Sequence, residues 1–273
     1  MDLNLDAFKS IVFLTGAGIS AESGLNTFRN SNGLWEQHRM EDVATPEAFI
    51  KDPQLVWRFY SMRRLQAAAA EPNLAHKALV KFAETRKHNV SLITQNVDVL
   101  HHRADQLDHL PPICMHGSLN QSRCTHCGVV YFDDYAYFNL KGDYAPQSTI
   151  LCNASEKASI DYLHHYKLDY KNFLPLSPCC KAEIRPHIVW FGEIPLQMSK
   201  IDKLLNEADL FVSIGTSGSV YPAAGFLQTA KSHGARTVCI NIEEIPQSKW
   251  IDEFIQGPAS VKVPEFFKSS QVY

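Results

Sequence analysis

The chain has 273 residues, of which 45% are hydrophobic and 20% are charged, so it is long enough to bury a sizeable core. Its net charge of -3 argues against direct nucleic-acid binding, which needs clustered Lys and Arg. No run approaches the roughly 20 apolar residues of a membrane span, and the N-terminus is acidic where a secretory signal is basic. We therefore expect a cytoplasmic protein whose seven cysteines act as metal ligands, core residues or catalysts rather than in disulfides.

Short apolar runs alternate with helical patterns along the chain. Four runs predict buried strands, at residues 11–14, 90–93, 210–214 and 237–240. Two helices are predicted between them, at residues 75–87 and 221–233. This alternation predicts an α/β fold built on a Rossmann-like, doubly wound parallel sheet.

Two segments interrupt the alternation, which predicts a discontinuous main domain carrying a small inserted domain. The insertion at 35–72 has helical patterns, whereas the one at 121–184 is polar and bracketed by cysteines. The second is too polar to form its own core, so we expect a metal ion to hold it together. The main domain would then combine residues 1–34, 73–120 and 185–273.

A glycine-rich turn follows the first predicted strand. It contains Gly16, Ala17, Gly18, Ser20 and Glu22. Glycines at such a place let the backbone turn tightly and approach a phosphate. The third glycine of the dinucleotide fingerprint is missing, so this motif alone fits a tight turn without a ligand equally well.

Polar residues also follow the second strand and the apolar segment after it. Gln95, Asn96 and Asp98 lie where open α/β sheets bind ligands, although Asn96 or Asp98 could simply cap the next helix. His116 precedes a glycine, and a lone histidine is more often structural than catalytic. Taken singly, these residues leave both interpretations open.

The stretch from 53 to 70 has the pattern of an amphipathic helix, which Asp52 can cap and Pro53 can start. Its predicted apolar stripe consists of Leu55, Phe59, Met62, Leu65 and Ala69. Tyr60 and Arg63 share a face beside that stripe and could bind a carboxylate. The plainer interpretation is that Arg58, Arg63 and Arg64 form a solvated set.

Together these motifs resemble the sirtuin family. The resemblance rests on residues 16–20 followed by 24–29, on residues 95–98, and on His116-Gly117. It implies an enzyme that cleaves NAD to remove acyl groups from lysines of proteins or peptides, yielding nicotinamide and O-acyl-ADP-ribose. His116 would be the general base, acting through the ribose hydroxyls, and Asn96 would orient water and ribose.

The resemblance also implies which other residues contact NAD. Ser20, Gln95 and Asp98 would line the nicotinamide pocket, while Phe28 and Arg29 would shield the reacting ribose. The remaining implied contacts are Gly16, Ala17, Gly18, Glu22, Thr27, Trp35, Gly215, Thr216, Ser217, Asn241, Glu243 and Ala259. Asn241 could otherwise be an ordinary turn residue at a strand end.

On the substrate side, Ala44, Tyr60 and Arg63 resemble the class III branch of sirtuins, whose members bind the free carboxylate of succinyl-, malonyl- or glutaryl-lysine. Residues 185–193 look like the family's substrate strand. An acyl-lysine peptide would pair there by β-augmentation, beside Val189, Trp190, Phe191, Gly192 and Glu193. We predict a deacylase that favours succinyl or malonyl groups. The alternatives are a deacetylase without acidic preference and a mono-ADP-ribosyl transferase.

Four cysteines bracket the second insertion. Cys124 and Cys127 have the spacing of a zinc knuckle, with a thioredoxin-like redox pair as the competing interpretation. Sirtuins close such a site with a second spaced pair, but Cys179 and Cys180 are adjacent here. We predict one structural zinc ion on these four thiolates, with Cys152 as the alternative to Cys179. A degenerate site that has lost its metal is the other alternative.

Overall fold

The computed structural model describes residues 3–26, 34–35, 38–85, 89–132, 170–171 and 174–269. Within these residues, no helix is long and apolar enough to span a membrane. Single-turn 3-10 helices lie at Leu5–Ala7, Ala223–Gly225 and Ser248–Trp250, and a longer one at Ala17–Ser23.

A six-stranded parallel sheet forms the main part of the molecule. Its strands are β1 (Ile11–Thr15), β4 (Val90–Thr94), β5 (Pro112–Cys114), β11 (Leu210–Ile214), β12 (Arg236–Asn241) and β13 (Glu253–Gln256). They lie in the order β13-β12-β11-β1-β4-β5, and every neighbouring pair is parallel. The chain winds in opposite directions from β1, so the predicted doubly wound fold is confirmed. Open sheets of this kind bind ligands beyond the carboxyl ends of their central strands.

Helices cover both faces of this sheet. They are α4 (Leu74–Thr85), α5 (Leu100–Ala104), α6 (Met198–Glu207), α7 (Phe226–Ser232) and α8 (Ala259–Ser269). Side chains of β1 alternate: Ile11 and Phe13 pack with α4 and α8, whereas Val12 and Leu14 pack with α6 and α7. Burial on both faces explains why the strands appear in the sequence as continuous apolar runs.

A smaller module packs beside the carboxyl edge of the sheet. Its helices are α1 (Met40–Val43), α2 (Pro46–Lys51) and α3 (Pro53–Ala69). Its strands are β2 (Leu34–Trp35), β3 (His38–Arg39), β6 (Gly117–Cys124), β7 (Val130–Tyr131), β8 (Tyr170–Lys171), β9 (Leu174–Pro175) and β10 (Ile184–Ile188). Strands β10, β6 and β7 form an antiparallel sheet, and its apolar side chains share one core with α3.

Helix α3 begins at Pro53, as the sequence predicts, and ends at Ala69, one residue earlier than predicted. The Asp52 side chain caps it by accepting a hydrogen bond from the N–H of Leu55 at 2.9 Å. The predicted apolar stripe is confirmed only in part: Phe59 is buried, and Leu55 and Met62 pack partly buried against the same core. Leu65 is half-buried and Ala69 is exposed. The buried residues of α3 are Val56, Trp57, Phe59, Tyr60, Ser61, Arg63, Arg64 and Ala67. One face lies against the antiparallel sheet, where Arg64 Nε donates to the Leu119 carbonyl at 2.7 Å. A helix covered on several sides cannot show a narrow stripe.

Three further expectations differ from the structure. The predicted helix at 221–233 begins only at Phe226, after a 3-10 turn. Strand β10 ends at Ile188, because the backbone turns at residues 191–193 instead of continuing to 193. Strands β5 and β13 were not predicted, since each is short and lies at an edge of the sheet.

Candidate functional site

One large cleft lies between the carboxyl edge of the parallel sheet and the smaller module, with a volume of about 470 Å³. Most of the residues singled out in the sequence line it. They are Gly16, Ala17, Gly18, Ser20, Glu22, Ala44, Tyr60, Arg63, Gln95, Asn96, Asp98, His116, Val189, Trp190, Phe191, Gly192, Glu193, Gly215, Thr216, Ser217, Asn241 and Ala259. Residues from widely separated parts of the sequence, from Gly16 to Ala259, therefore meet at a single site.

A few predicted site residues are not in that group. Thr27, Phe28 and Arg29 lie outside the described residues, and Trp35 is described only as part of β2. Glu243 is exposed and does not line the cleft; its carbonyl accepts a hydrogen bond from Asn241 Nδ2 at 2.9 Å.

The glycine-rich turn packs directly against the end of β11. A Cβ on Gly16 would lie 2.8 Å from the Gly215 carbonyl oxygen, and one on Gly18 would lie 2.7 Å from the Gly215 Cα. The N–H of Gly18 donates to that same carbonyl at 2.8 Å. The two glycines therefore allow two strand ends to touch and form the floor of the cleft.

Ser20, Asn96 and Asp98 form one hydrogen-bonded cluster beside this turn. Asn96 Nδ2 donates to Ser20 Oγ at 3.2 Å, and Ser20 Oγ donates to Asp98 Oδ2 at 2.7 Å. Asp98 Oδ1 also accepts from the N–H of Leu100 at 3.0 Å, which anchors the first turn of α5. Burial raises the pKa of Asp98. Asp98 thus belongs both to a helix start and to the cleft wall.

His116 presents a basic nitrogen in this cleft. Its Nδ1 lies 3.0 Å from the Gln95 carbonyl oxygen. Because a carbonyl only accepts, Nδ1 carries the proton of the neutral ring, and Nε2 keeps its lone pair. Burial lowers the pKa of His116, so the ring is neutral near pH 7. A neutral imidazole held in this tautomer can take a proton from a bound hydroxyl.

Two buried histidines behind the cluster were missed in the sequence. His76 Nε2 lies 3.4 Å from Ser20 Oγ, and its ring lies 4.8 Å from that of His101. His101 Nε2 lies 2.9 Å from Thr15 Oγ1. Burial lowers the pKa of both rings, to about 4 for His76. Both lie within helices without a local motif, so only the packing connects them with the cleft.

The strand ends on the other side of β1 are held by their own side chains. Asn241 Nδ2 donates to the Thr216 carbonyl at 3.0 Å, and Thr216 Oγ1 lies 2.9 Å from Ser213 Oγ. Glu22 Oε2 accepts from the N–H of Ser260 at 3.0 Å, which ties the glycine-rich turn to the start of α8. These contacts shape the wall where β11, β12 and α8 meet.

The opposite end of the cleft is built by the smaller module. Ala44, Tyr60 and Arg63 line it and are 3%, 1% and 7% exposed, so the interpretation of Arg63 as a solvated side chain is wrong. Arg63 Nη1 donates to Gln66 Oε1 at 3.2 Å. Burial raises the pKa of Tyr60 above its ordinary value, so the phenol is neutral. The Arg63 cation and the neutral Tyr60 phenol therefore lie side by side in the buried wall at this end of the cleft.

The loop after β10 completes that wall through an ion-pair network. Arg185 donates to both carboxylate oxygens of Glu193, at 2.7 and 2.9 Å, and Arg123 Nη2 donates to Glu193 Oε1 at 2.8 Å. Burial alone would raise the pKa of Glu193, but the hydrogen bonds and charge of Arg185 outweigh it and lower that pKa. Arg185 was not predicted as a site residue, because its role depends on this contact.

Backbone groups of the same loop are already engaged within the chain. The N–H of Val189 donates to the His116 carbonyl at 2.9 Å, and the N–H of Phe191 donates to the Ala44 carbonyl at 3.0 Å. The loop is therefore tied to both halves of the cleft. Pairing of a peptide through these two donors, as in simple β-augmentation, is not available.

The cysteines meet away from the cleft, at the end of β6 and before β10. The sulfurs of Cys124, Cys127 and Cys180 all lie within 4.8 Å of one another. Cys179 Sγ lies 3.1 Å from Cys127 Sγ, while Cys152 lies outside the described residues. Cys124 Sγ lies 3.3 Å from Cys180 Sγ. The pair Cys124 and Cys127 therefore lies next to the pair Cys179 and Cys180, whereas a redox pair would not need a second pair of cysteines beside it. Thiolates gathered this way fit a structural Zn²⁺ ion.

Comparisons with known proteins identify the family of this chain. A family model described as the Sir2 family matches residues 16–222. The NAD-dependent protein deacylase of Escherichia coli (strain K12) is 45% identical over 260 residues, which cover 94% of this chain and 80% of that protein.

Two solved structures are similar over nearly the whole chain. A Sir2 homolog–NAD complex has a TM-score of 0.77 and 33% identity, covering 98% of this chain and 91% of that one. A mutant Sir2 homologue in complex with 2'-O-acetyl ADP ribose has a TM-score of 0.78 and 33% identity, covering 99% of this chain and 97% of that one. With the family model and the bacterial relative, they show that this chain belongs to the Sir2 family.

Proposed function

We propose that this chain, an NAD-dependent protein deacylase, removes succinyl and malonyl groups from protein lysines. The observation that supports this preference is the pair Tyr60 and Arg63, which line one end of the cleft beside Ala44. A buried guanidinium and a phenol can bind a carboxylate by charge-assisted hydrogen bonds. The small Ala44 side chain leaves room for a longer acyl chain than acetyl.

The other end of the cleft supplies residues for NAD cleavage. In this proposal Ser20, Gln95 and Asp98 surround nicotinamide, and Asn96 orients water and ribose. Loss of nicotinamide leaves an oxocarbenium-like sugar that the acyl oxygen of the lysine amide attacks. Nε2 of His116 then takes a proton from a ribose hydroxyl. The products are free lysine, nicotinamide and an O-acyl-ADP-ribose, which is consistent with the acetyl ADP ribose bound by a similar structure.

The positions of further residues support the remaining roles in this proposal. Gly215, Thr216, Ser217, Asn241 and Ala259 would contact the adenosine half of NAD, and the protein substrate would lie along residues 189–193. The cysteine cluster would hold a zinc ion that stabilises the smaller module without taking part in the reaction, since none of its sulfurs lines the cleft.

The decisive experiment compares acetyl-, succinyl- and malonyl-lysine versions of one peptide. For the wild type we expect higher kcat/KM with the acidic acyl groups. Arg63→Met should lower kcat/KM for them by about 10- to 100-fold relative to acetyl, because a hydrogen bond to a charged group is lost. Arg58→Met is the matched control, since Arg58 lies on the same helix but does not line the cleft. Equal losses on all three peptides would contradict the proposed preference.

A further inference from the structure

The indole of Trp190 determines how the hydroxyl of Tyr60 can be used. Trp190 Nε1 lies 2.9 Å from the Tyr60 hydroxyl oxygen, and both side chains are buried. An indole N–H can only donate, so the phenol oxygen accepts this hydrogen bond. The hydroxyl's own hydrogen must therefore point away from Trp190.

That hydrogen remains available for a ligand. Within the part of the chain that the structure describes, Tyr60 has no acceptor at hydrogen-bond distance. Burial raises the pKa of Tyr60, so the phenol keeps its hydrogen at neutral pH. Accepting one hydrogen bond also polarises a hydroxyl and makes it a better donor. Because Tyr60 lines the cleft, a strong acceptor oxygen is the ligand group that this donor favours.

Contacts on several sides hold Trp190 in place, so its indole N–H can fix the direction of the Tyr60 hydroxyl hydrogen. Its backbone N–H donates to Glu193 Oε2 at 2.8 Å, and the Arg185 guanidinium carbon lies 3.3 Å from its ring centroid. The ring of Phe49 also packs against the indole, and the two ring centroids are 5.6 Å apart. The indole is thus fixed by the same ion pair that shapes the loop after β10.

We propose that Trp190 is a positioning residue that makes Tyr60 an obligatory hydrogen-bond donor to the carboxylate of an acidic acyl group. Arg63 supplies the positive charge that attracts the carboxylate. Trp190 fixes the direction in which the Tyr60 hydroxyl donates its hydrogen. This inference rests on the proposed preference for succinyl and malonyl groups. It assigns to Trp190 a role in choosing the acyl group, beyond lining the path of the substrate.

The test is a double-mutant cycle with Trp190→Phe and Tyr60→Phe on matched succinyl- and acetyl-lysine peptides. Trp190→Phe keeps a ring but removes the N–H, and the readout is the ratio of the two kcat/KM values, which cancels general damage to the site. We expect the succinyl-to-acetyl ratio to fall about tenfold, mainly through KM for the succinyl peptide. In the Tyr60→Phe background, Trp190→Phe should leave the ratio unchanged.

Phe49→Leu is the matched packing control, because it disturbs the surroundings of the indole while leaving its N–H in place. It should keep the wild-type ratio. A Trp190→Phe variant that keeps the wild-type ratio, or one that lowers it equally with and without the Tyr60 hydroxyl, overturns the inference alone. A wild-type enzyme with no acidic preference overturns the proposed preference and the inference together.

Discussion

The two ends of the cleft are built in different ways. At the cofactor end, Ser20, Asn96 and Asp98 lie in the segments that follow β1 and β4 and hold one another through side-chain hydrogen bonds. At the acyl end, Tyr60 and Trp190 are 130 residues apart in sequence and meet through a hydrogen bond and a ring contact between a helix and a loop. The first arrangement suits chemistry common to all substrates, whereas the second is easily varied to change the acyl group accepted. Changes at the cofactor end should therefore affect all peptides alike.

The largest effect is expected for His116→Ala. Because the general base acts after nicotinamide has left, removing it should lower kcat for deacylation by about 10²- to 10⁴-fold, and equally for acetyl- and succinyl-lysine peptides. His233→Ala, at an exposed position, is the control and should retain wild-type rates. Circular dichroism should show both variants folded. A loss of activity on only one of the two peptides would contradict the view that the cofactor end serves all acyl groups alike.

A smaller effect is expected from pH. As the pH falls, His116 gains a proton and can no longer act as a base. Burial lowers its pKa, so the acidic limb of kcat/KM should have its midpoint below the ordinary value of 6.5. Arg63 stays charged throughout, so succinyl- and acetyl-lysine peptides should share this limb. Profiles for both peptides provide the measurement; separate midpoints, or a shared one above 6.5, would contradict the assignment.

The smallest effect is expected for Glu243→Ala. Glu243 is exposed and lies outside the residues that line the cleft, so KM for NAD should change by less than about twofold. Asn241→Ala is the contrasting variant, because Asn241 lines the cleft and holds the Thr216 carbonyl. It should raise KM for NAD clearly. An equally large rise for Glu243→Ala would mean that the adenosine end extends beyond the cleft seen here.

Much of the cofactor end could be predicted because its residues lie in contiguous motifs directly after buried strands. Such runs are apolar throughout when both faces of a sheet are covered, which is why β1, β4, β11 and β12 were located well. The short strands β5 and β13 lack that signal. His76 and His101 also escaped prediction, because a histidine within a helix does not reveal which side chain it will touch. The domain boundaries and the cytoplasmic location stay predictions.

By itself, the sequence determined the doubly wound sheet, the cleft at its carboxyl edge and the family, since each depends on local patterns of a few neighbouring residues. Only the tertiary structure decided which faces of α3 are buried, where the strand after Arg185 ends, and how Arg185, Glu193 and Trp190 support Tyr60. Those features depend on contacts between residues far apart in the chain, and the direction of a hydrogen bond exists only once both partners are in place.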